Sequence, residues 1–197
     1  MRYFAGFLVI VALILFGIVI FGSTPGTNTK KTTKNGQVVK TLPDYANTVA
    51  EVRMTVDGPI YGDDLHRQIR ISINSRVRTL DAVQGYLGNI IKTESFANND
   101  SAYSAFLHAL YKAGYTTKLN PKINKFASDS DQGSCALGQR IYFELVNTGT
   151  DADQRLWTSN CGKEIPGNFG GATGLIFSLF TSQISNYNDF TADVSLL

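Results

Sequence analysis

The stretch YFAGFLVIVALILFGIVIFG at residues 3–22 limits what this chain can be more than any other feature. It carries no charged side chain and a single polar one, the hydroxyl of Tyr3. At 1.5 Å per residue a helix of this length reaches about 30 Å, the thickness of a hydrocarbon core. Such a helix satisfies every backbone amide internally, which lipid demands. The sequence therefore predicts a transmembrane anchor over residues 1–22. A cleaved signal peptide would need an apolar run of about 7–15 residues and a small-x-small cleavage site. The junction Phe21-Gly22-Ser23-Thr24-Pro25 offers no such pattern. A pilin-like start is opposed by Val11, where an acidic side chain is needed, and by Pro25 and Gly26, which stop a long helix.

From Ser23 to Gly36 every residue is Ser, Thr, Pro, Gly, Asn or Lys. Nothing there can be buried to offset the entropy of ordering, so residues 23–47 read as a flexible polar linker. If flexible as far as Asp44 it spans about 26 Å root-mean-square. Residues 48–197 then make one domain of ordinary size. The composition, 43% apolar and 17% charged, supports a real core, and a net charge of +2 is far from the basic balance of a dedicated nucleic-acid binder. No specific nucleic-acid binding is expected.

Residues 48–57 alternate, with Ala50, Val52, Met54 and Val56 on one face and Glu51, Arg53, Thr55 and Asp57 on the other, as a half-buried strand does. The alternation resumes after DGPIYGDD: Ile69, Ile71, Ile73 and Val77 face one way, and Gln68, Arg70, Ser72, Asn74, Arg76 and Arg78 the other. A long hairpin follows, with IIKTESF as a further strand. Tyr103, Phe106, Leu107, Leu110 and Tyr111 fall on one stripe of a helix over residues 100–113, capped by Asn98 or Asn99 and ended by Gly114, onto which Tyr115 can fold back. A polar loop leads to a second hairpin, LGQRIYFELV and DQRLWTSNC. The glycine-rich GNFGGATG then opens a last helix, with Ile176, Leu179, Phe180 and Ile184 inward. The expected fold class is α+β: an antiparallel sheet of about five strands with two helices packed on one face.

Cys135 and Cys161 flank that second hairpin, whose midpoint would fall at Thr148 if the cysteines are directly opposed. A disulfide across the base of the hairpin is predicted, and with it an oxidising, extracytoplasmic site, against the reading of two buried free thiols in a reducing compartment. The positive-inside rule points the other way, because Lys30, Lys31, Lys34 and Lys40 follow the anchor while only Arg2 and the terminal amine precede it. The cysteine pair, with the nearest lysine eight residues beyond Gly22, favours a single-pass cell-membrane protein with the C-terminal domain outside.

Two sites are candidates for anions. Arg53, Arg70, Arg76 and Arg78 could form a patch for an anionic polymer, against the plainer reading of a solvated sheet face diluted by Asp57, Asp63 and Asp64. Gly167, Gly170 and Gly171 precede a helix and could bind an anion through backbone amides, against the reading of an ordinary tight turn. Their spacing matches neither the P-loop nor the dinucleotide fingerprint. Asp129 and Asp131 resemble the start of a calcium loop, but the distal glutamate is missing. His66 and His108 could serve a hydrolase with Asp63 or Asp64, yet no nucleophile signature accompanies them. No metal, cofactor or catalytic residue is assigned.

The segments FLHALYKAGY, CALGQRIYFEL, RLWTSNCG and GNFGGATGLIFSLFTSQISNY, in this order, resemble uncharacterised single-pass membrane-anchored proteins of the Saccharibacteria group. The resemblance implies a cell-surface setting and no reaction. Together these observations lead one to expect a tethered binding module, held at the membrane by residues 3–22. Its partner would be an envelope polymer or a surface protein, recognised through the outer sheet face and the loops 57–65 and 120–134. The alternatives are a tethered hydrolase acting on envelope polymer or peptide, and a subunit of a membrane assembly.

Overall fold

A computed structural model describes residues 40–147, 152–192 and 194. The expected anchor and most of the linker lie outside the described residues. Among the described residues no helix is long and apolar enough to cross a membrane. The chain divides into Met1–Val39 and Lys40–Leu197, and the fold below is that of the second unit.

This fold starts before residue 48. Pro43 fixes the backbone of a single 3-10 turn, Leu42–Tyr45, entered at Thr41, whose amide and hydroxyl both donate to the Asp44 carboxylate, and Leu42 and Ala46 are buried. Six strands follow: β1 (Glu51–Asp57), β2 (Arg67–Ile73), β3 (Val77–Gln84), β4 (Asn89–Ala97), β5 (Arg140–Val146) and β6 (Gln154–Ser159). Helix α1 (Asp100–Lys112) stands between β4 and β5, and α2 (Thr173–Thr181) and α3 (Tyr187–Ala192) close the chain. The result is α+β, with every strand pair antiparallel and the order β4-β3-β2-β1-β5-β6.

The single long strand expected through Arg78 is two strands. Asn74 accepts the amides of Arg76 and Val77 at 2.9 and 3.0 Å, which forms the reversal between β2 and β3. Because Ile73 then pairs with Arg78, odd positions of β2 share a face with even positions of β3. The numerical alternation runs on through the turn while the faces exchange.

One face of the sheet is apolar. Val52, Met54 and Val56, Ile69, Ile71 and Ile73, Leu80 and Ala82, and Phe143 and Leu145 meet Tyr103, Phe106, Leu107 and Leu110 of α1 and Ile176 and Phe180 of α2. α1 begins at Asn99, whose side chain accepts the Ala102 amide at 2.9 Å. Tyr111, expected on the buried stripe, is exposed at its margin, and Leu179 is only partly buried. Gly114 takes φ +80° and lets Tyr115 turn under the sheet. The Tyr115 hydroxyl lies 2.8 and 2.7 Å from the carbonyls of Arg53 and Glu144, bridging β1 and β5, and burial holds its acidity far below that of a free phenol.

Candidate binding surface

The four arginines of the expected patch do not converge. Arg53 lies on the outer face and is held by Glu51 at 2.9 Å and Glu144 at 3.8 Å. Arg70 shares that face, directly across from Asp81. Arg76 sits exposed in the β2–β3 turn. Arg78 belongs to the helix side, where it donates to the carbonyls of Gln183 at 2.8 Å and Ala97 at 2.9 Å, just beyond the C-terminus of α2. The outer face is therefore a mixed-charge lattice rather than a basic field.

Nor is the outer face fully open to solvent. The loop before β5 folds across β5 and β6: the Trp157 indole donates to the Ser128 carbonyl at 3.0 Å, and Arg155 pairs with Asp131 at 2.9 Å while stacking on Tyr142. Burial opposes ionisation of Asp131, but hydrogen bonds from Tyr142 and Arg155 prevail and hold its carboxyl below the usual range. Asp129 is also lowered, first by its hydrogen bond from Lys118 and then by that from Asn168. Both carboxylates of the calcium-like stretch are thus used as braces. Among the described residues no group of His, Cys, Asp and Glu is placed to hold a metal.

The glycines of GNFGGATG serve close packing. A side chain on Gly167 would collide with the Trp157 carbonyl, and one on Gly171 with the Gly114 carbonyl. The amides of Asn168 and Phe169 donate to Trp157, Gly170 to Thr117, and Ala172 to Ala113. These four donors are spent inside the fold, which leaves them unavailable to an anion.

Cys135 and Cys161 form a disulfide, with Cα atoms 5.5 Å apart. They are not opposed in the ladder as the spacing suggested. Arg140 pairs with Ser159, so Cys161 projects opposite Gly138. Cys135 instead reaches in from a turn, at φ +53°. A Cβ on Gly138 would lie 2.6 Å from both sulfurs, so the bridge needs glycine there.

That bridge stands at one end of the sheet, where the β1–β2 loop, the β3–β4 turn and the segment before β5 meet. Ile60 donates its amide to the Ala136 carbonyl at 2.8 Å, and Tyr86 donates its amide to the Asp63 carboxylate and its hydroxyl to the Tyr61 carbonyl, each at 2.8 Å. Beneath them His66 is fully buried, stacked on Tyr86 with centroids 4.2 Å apart. Its Nδ1 is 3.0 Å from the Pro59 carbonyl and its Nε2 is 2.9 Å from Asp57 Oδ1, a contact too poorly aligned to be a hydrogen bond. Arg140 closes on the other carboxylate oxygen of Asp57 and donates to the Gly58 carbonyl at 3.2 Å. The carboxylate partner of His66 is therefore Asp57, not Asp63 or Asp64.

Over this buried brace the surface is apolar. Ile60, Tyr61, Leu65, Tyr86, Leu87, Ile90 and Leu137 are all exposed, Leu87 to 97% and Leu137 to 87%. Most of the exposed large apolar side chains among the described residues gather here. Neither their periodicity nor their charge marked them in the sequence. The readable signal was apolar residues set among turn formers, in GPIYGDDL and QGYLGN.

Comparison with known protein families and with curated proteins finds no match to this chain. The reading of function rests on the site itself.

Two other features bear on catalysis. His108 lines an open depression of about 450 Å³ with Asn47, Asp100, Ser101 and Ser104. Its Nδ1 is occupied by the Ser104 carbonyl at 2.8 Å, and among the described residues no hydrogen bond joins it to Asp100 or to a serine hydroxyl. A second hollow, of about 410 Å³, is lined by Lys118, Asn120, Asp129 and Asn168, without a histidine.

Proposed function

We propose that this chain is a membrane-tethered, extracytoplasmic interaction module that grips its partner with the apolar end formed by residues 58–65, 85–90 and 137. The supporting observation is the clustering of Ile60, Tyr61, Leu65, Tyr86, Leu87, Ile90 and Leu137 at one end of the sheet. A monomeric surface seldom leaves so many large apolar groups together without a use. Tyrosine held rigidly at its rim suits recognition, since it offers a large contact area at small entropic cost.

The position of the cluster fits a tether. The chain reaches β1 through Asn47, which lines the same hollow as Asp100 and Ser101 at the start of α1. That is the sheet end opposite the apolar cluster, so the cluster lies away from the point where the chain enters the sheet. The Cys135–Cys161 bridge agrees with an oxidising exterior, and the resemblance to membrane-anchored Saccharibacteria proteins implies the same setting.

The test uses the fragment Lys40–Leu197, whose core among the described residues begins at Leu42. Immobilised, it is expected to retain an envelope polymer or surface protein, and Leu87→Ser with Ile90→Ser should abolish retention while leaving stability within about 0.5 kcal/mol. Retention of nothing, together with turnover of a generic ester or peptide, would replace this reading with the hydrolase. Thiol labelling of intact cells tests the side: free, cytoplasmic Cys135 or Cys161 would reverse the topology.

A further inference from the structure

Among the described residues strand β4 has a neighbour on one side only. Asn98, just past its end, donates to the Arg76 carbonyl at 2.8 Å, which sets the phase of the β3–β4 ladder. Antiparallel pairs alternate between bonded and non-bonded, so Phe96, Glu94 and Lys92 bond toward β3, while Thr93 and Ser95 turn their N–H and C=O groups away from the sheet. The 2.6 Å contact of the Thr93 hydroxyl with Asp81 fits the closer, non-bonded kind of pair. Thr93 and Ser95 are exposed, and among the described residues no element lies beyond them.

We infer that β4 pairs antiparallel with β4 of a second copy, about a two-fold axis at Thr93. The strand's own charges select this occupant and this register. Three registers let the outward groups of Thr93 and Ser95 bond across a two-fold axis. Centring at Thr93 sets Lys92 opposite Glu94 twice. Centring at Glu94 sets that carboxylate against its own copy, and centring at Ser95 sets it against Phe96. Opposite charges across a strand pair stabilise and like charges destabilise, so only the first register gains from both copies. Both side chains lie on the α3 side of the strand, Lys92 over the Phe190 ring at 4.4 Å and 3.4 Å from the Phe190 carbonyl, and Glu94 accepting from the Asn186 amide.

The irregularity in the ladder between Ala82 and Val83 leaves Ile91 as an extra residue on β4, which limits regular pairing to residues 91–95 of each copy. A two-fold contact uses the β4 edge of both copies and so closes at two, and the far edge is covered at Trp157. This inference is independent of the apolar end and its partner.

The experiment is oxidative crosslinking of the full-length chain in detergent micelles, with the Cys135–Cys161 bridge intact. In a bonded pair Cα atoms sit about 5.5 Å apart, within disulfide reach. Thr93→Cys should crosslink to its copy, and Ser95→Cys, displaced to opposite sides of the axis, should crosslink about tenfold less. In the Thr93→Cys background, Lys92→Glu or Glu94→Lys alone should lower crosslinking about tenfold, and the two together should restore it. The restored double variant shows that the single changes had not simply unfolded the domain. Absence of crosslinking at both positions, dominance of Ser95→Cys, or failure of the double change to rescue would overturn the inference. So would loss of crosslinking on Leu87→Ser with none on charge reversal, which would move the contact to the apolar end.

Discussion

At β6 the outward backbone groups of Trp157 are taken up by the chain itself. Its amide donates to the Asn168 side chain at 2.8 Å, its carbonyl accepts the amides of Asn168 and Phe169 at 3.0 Å, and residues 117–119 bond to 168–170 beyond them. At β4 the equivalent groups of Thr93 and Ser95 meet nothing beyond the strand among the described residues, although α3 lies beneath it. The same molecule therefore covers one edge at Trp157 with a loop and a glycine-rich turn, and leaves Thr93 and Ser95 of the other uncovered among the described residues. An uncovered edge is a template for another strand. The asymmetry teaches that covering was within reach of this sequence and was applied on one side only.

The comparison can be broken experimentally. The largest expected effect is at the sealed side, where Cys161 fastens the end of β6. Replacing both cysteines with serine should cost roughly 3.5 kcal/mol in the chain-entropy account of a bridge 26 residues apart, measured by urea denaturation. Next, Asn168→Ala strips the buried Trp157 amide of its acceptor and should cost about 2 kcal/mol by the same assay. An effect confined to a few tenths would mean that the cover is decorative.

Acid should loosen the sealed side before the open one. The carboxyls of Asp129 and Asp131 titrate below the usual range in the folded chain, so the stability they lend is fully present above the ordinary carboxylate value of about 3.9. It is lost as the pH falls through their lower, folded values. Hydrogen exchange should quicken at residues 128–134 below about pH 4 while β4 is unchanged. The smallest effect is expected at the open edge. Thr93→Pro removes an amide hydrogen that faces away from β3, and should cost about 1 kcal/mol or less in the isolated domain. A cost comparable to that at Asn168 would show that β4 is not a free edge.

Much of the inner face was legible. Alternation through Val52, Met54 and Val56, the 3.6-residue stripe of α1, the Asn99 cap and the glycine that frees Tyr115 all rest on local rules, and local rules are printed in the sequence. The break between β2 and β3 was not legible, because a short turn preserves the numerical alternation from Ile73 to Val77 while exchanging the faces. That exchange scattered Arg53, Arg70, Arg76 and Arg78. The placement of β5 beside β1 is non-local, and so are the sealing of β6 by Asn168 and the partnership of His66 with Asp57. The cysteines were matched correctly for a reason only half right, since Cys135 arrives from a turn. The apolar end was hidden because it has no period, its members coming from three separate segments that only the fold brings together.

The sheet also has a mechanical reading. The chain comes to the sheet at the start of β1, and the exposed Tyr86 and Leu87 sit at the far end, on the turn between β3 and β4. Tension applied between Lys40 and that turn must cross sideways from β1 to β2, through the ladder from Val52–Ile73 to Asp57–Gln68, and then from β2 to β3. It runs along the strands, so the rungs are sheared together and cannot open one at a time from an end. The lifetime of such a connection under pull is set by an unfolding rate rather than by the equilibrium stability.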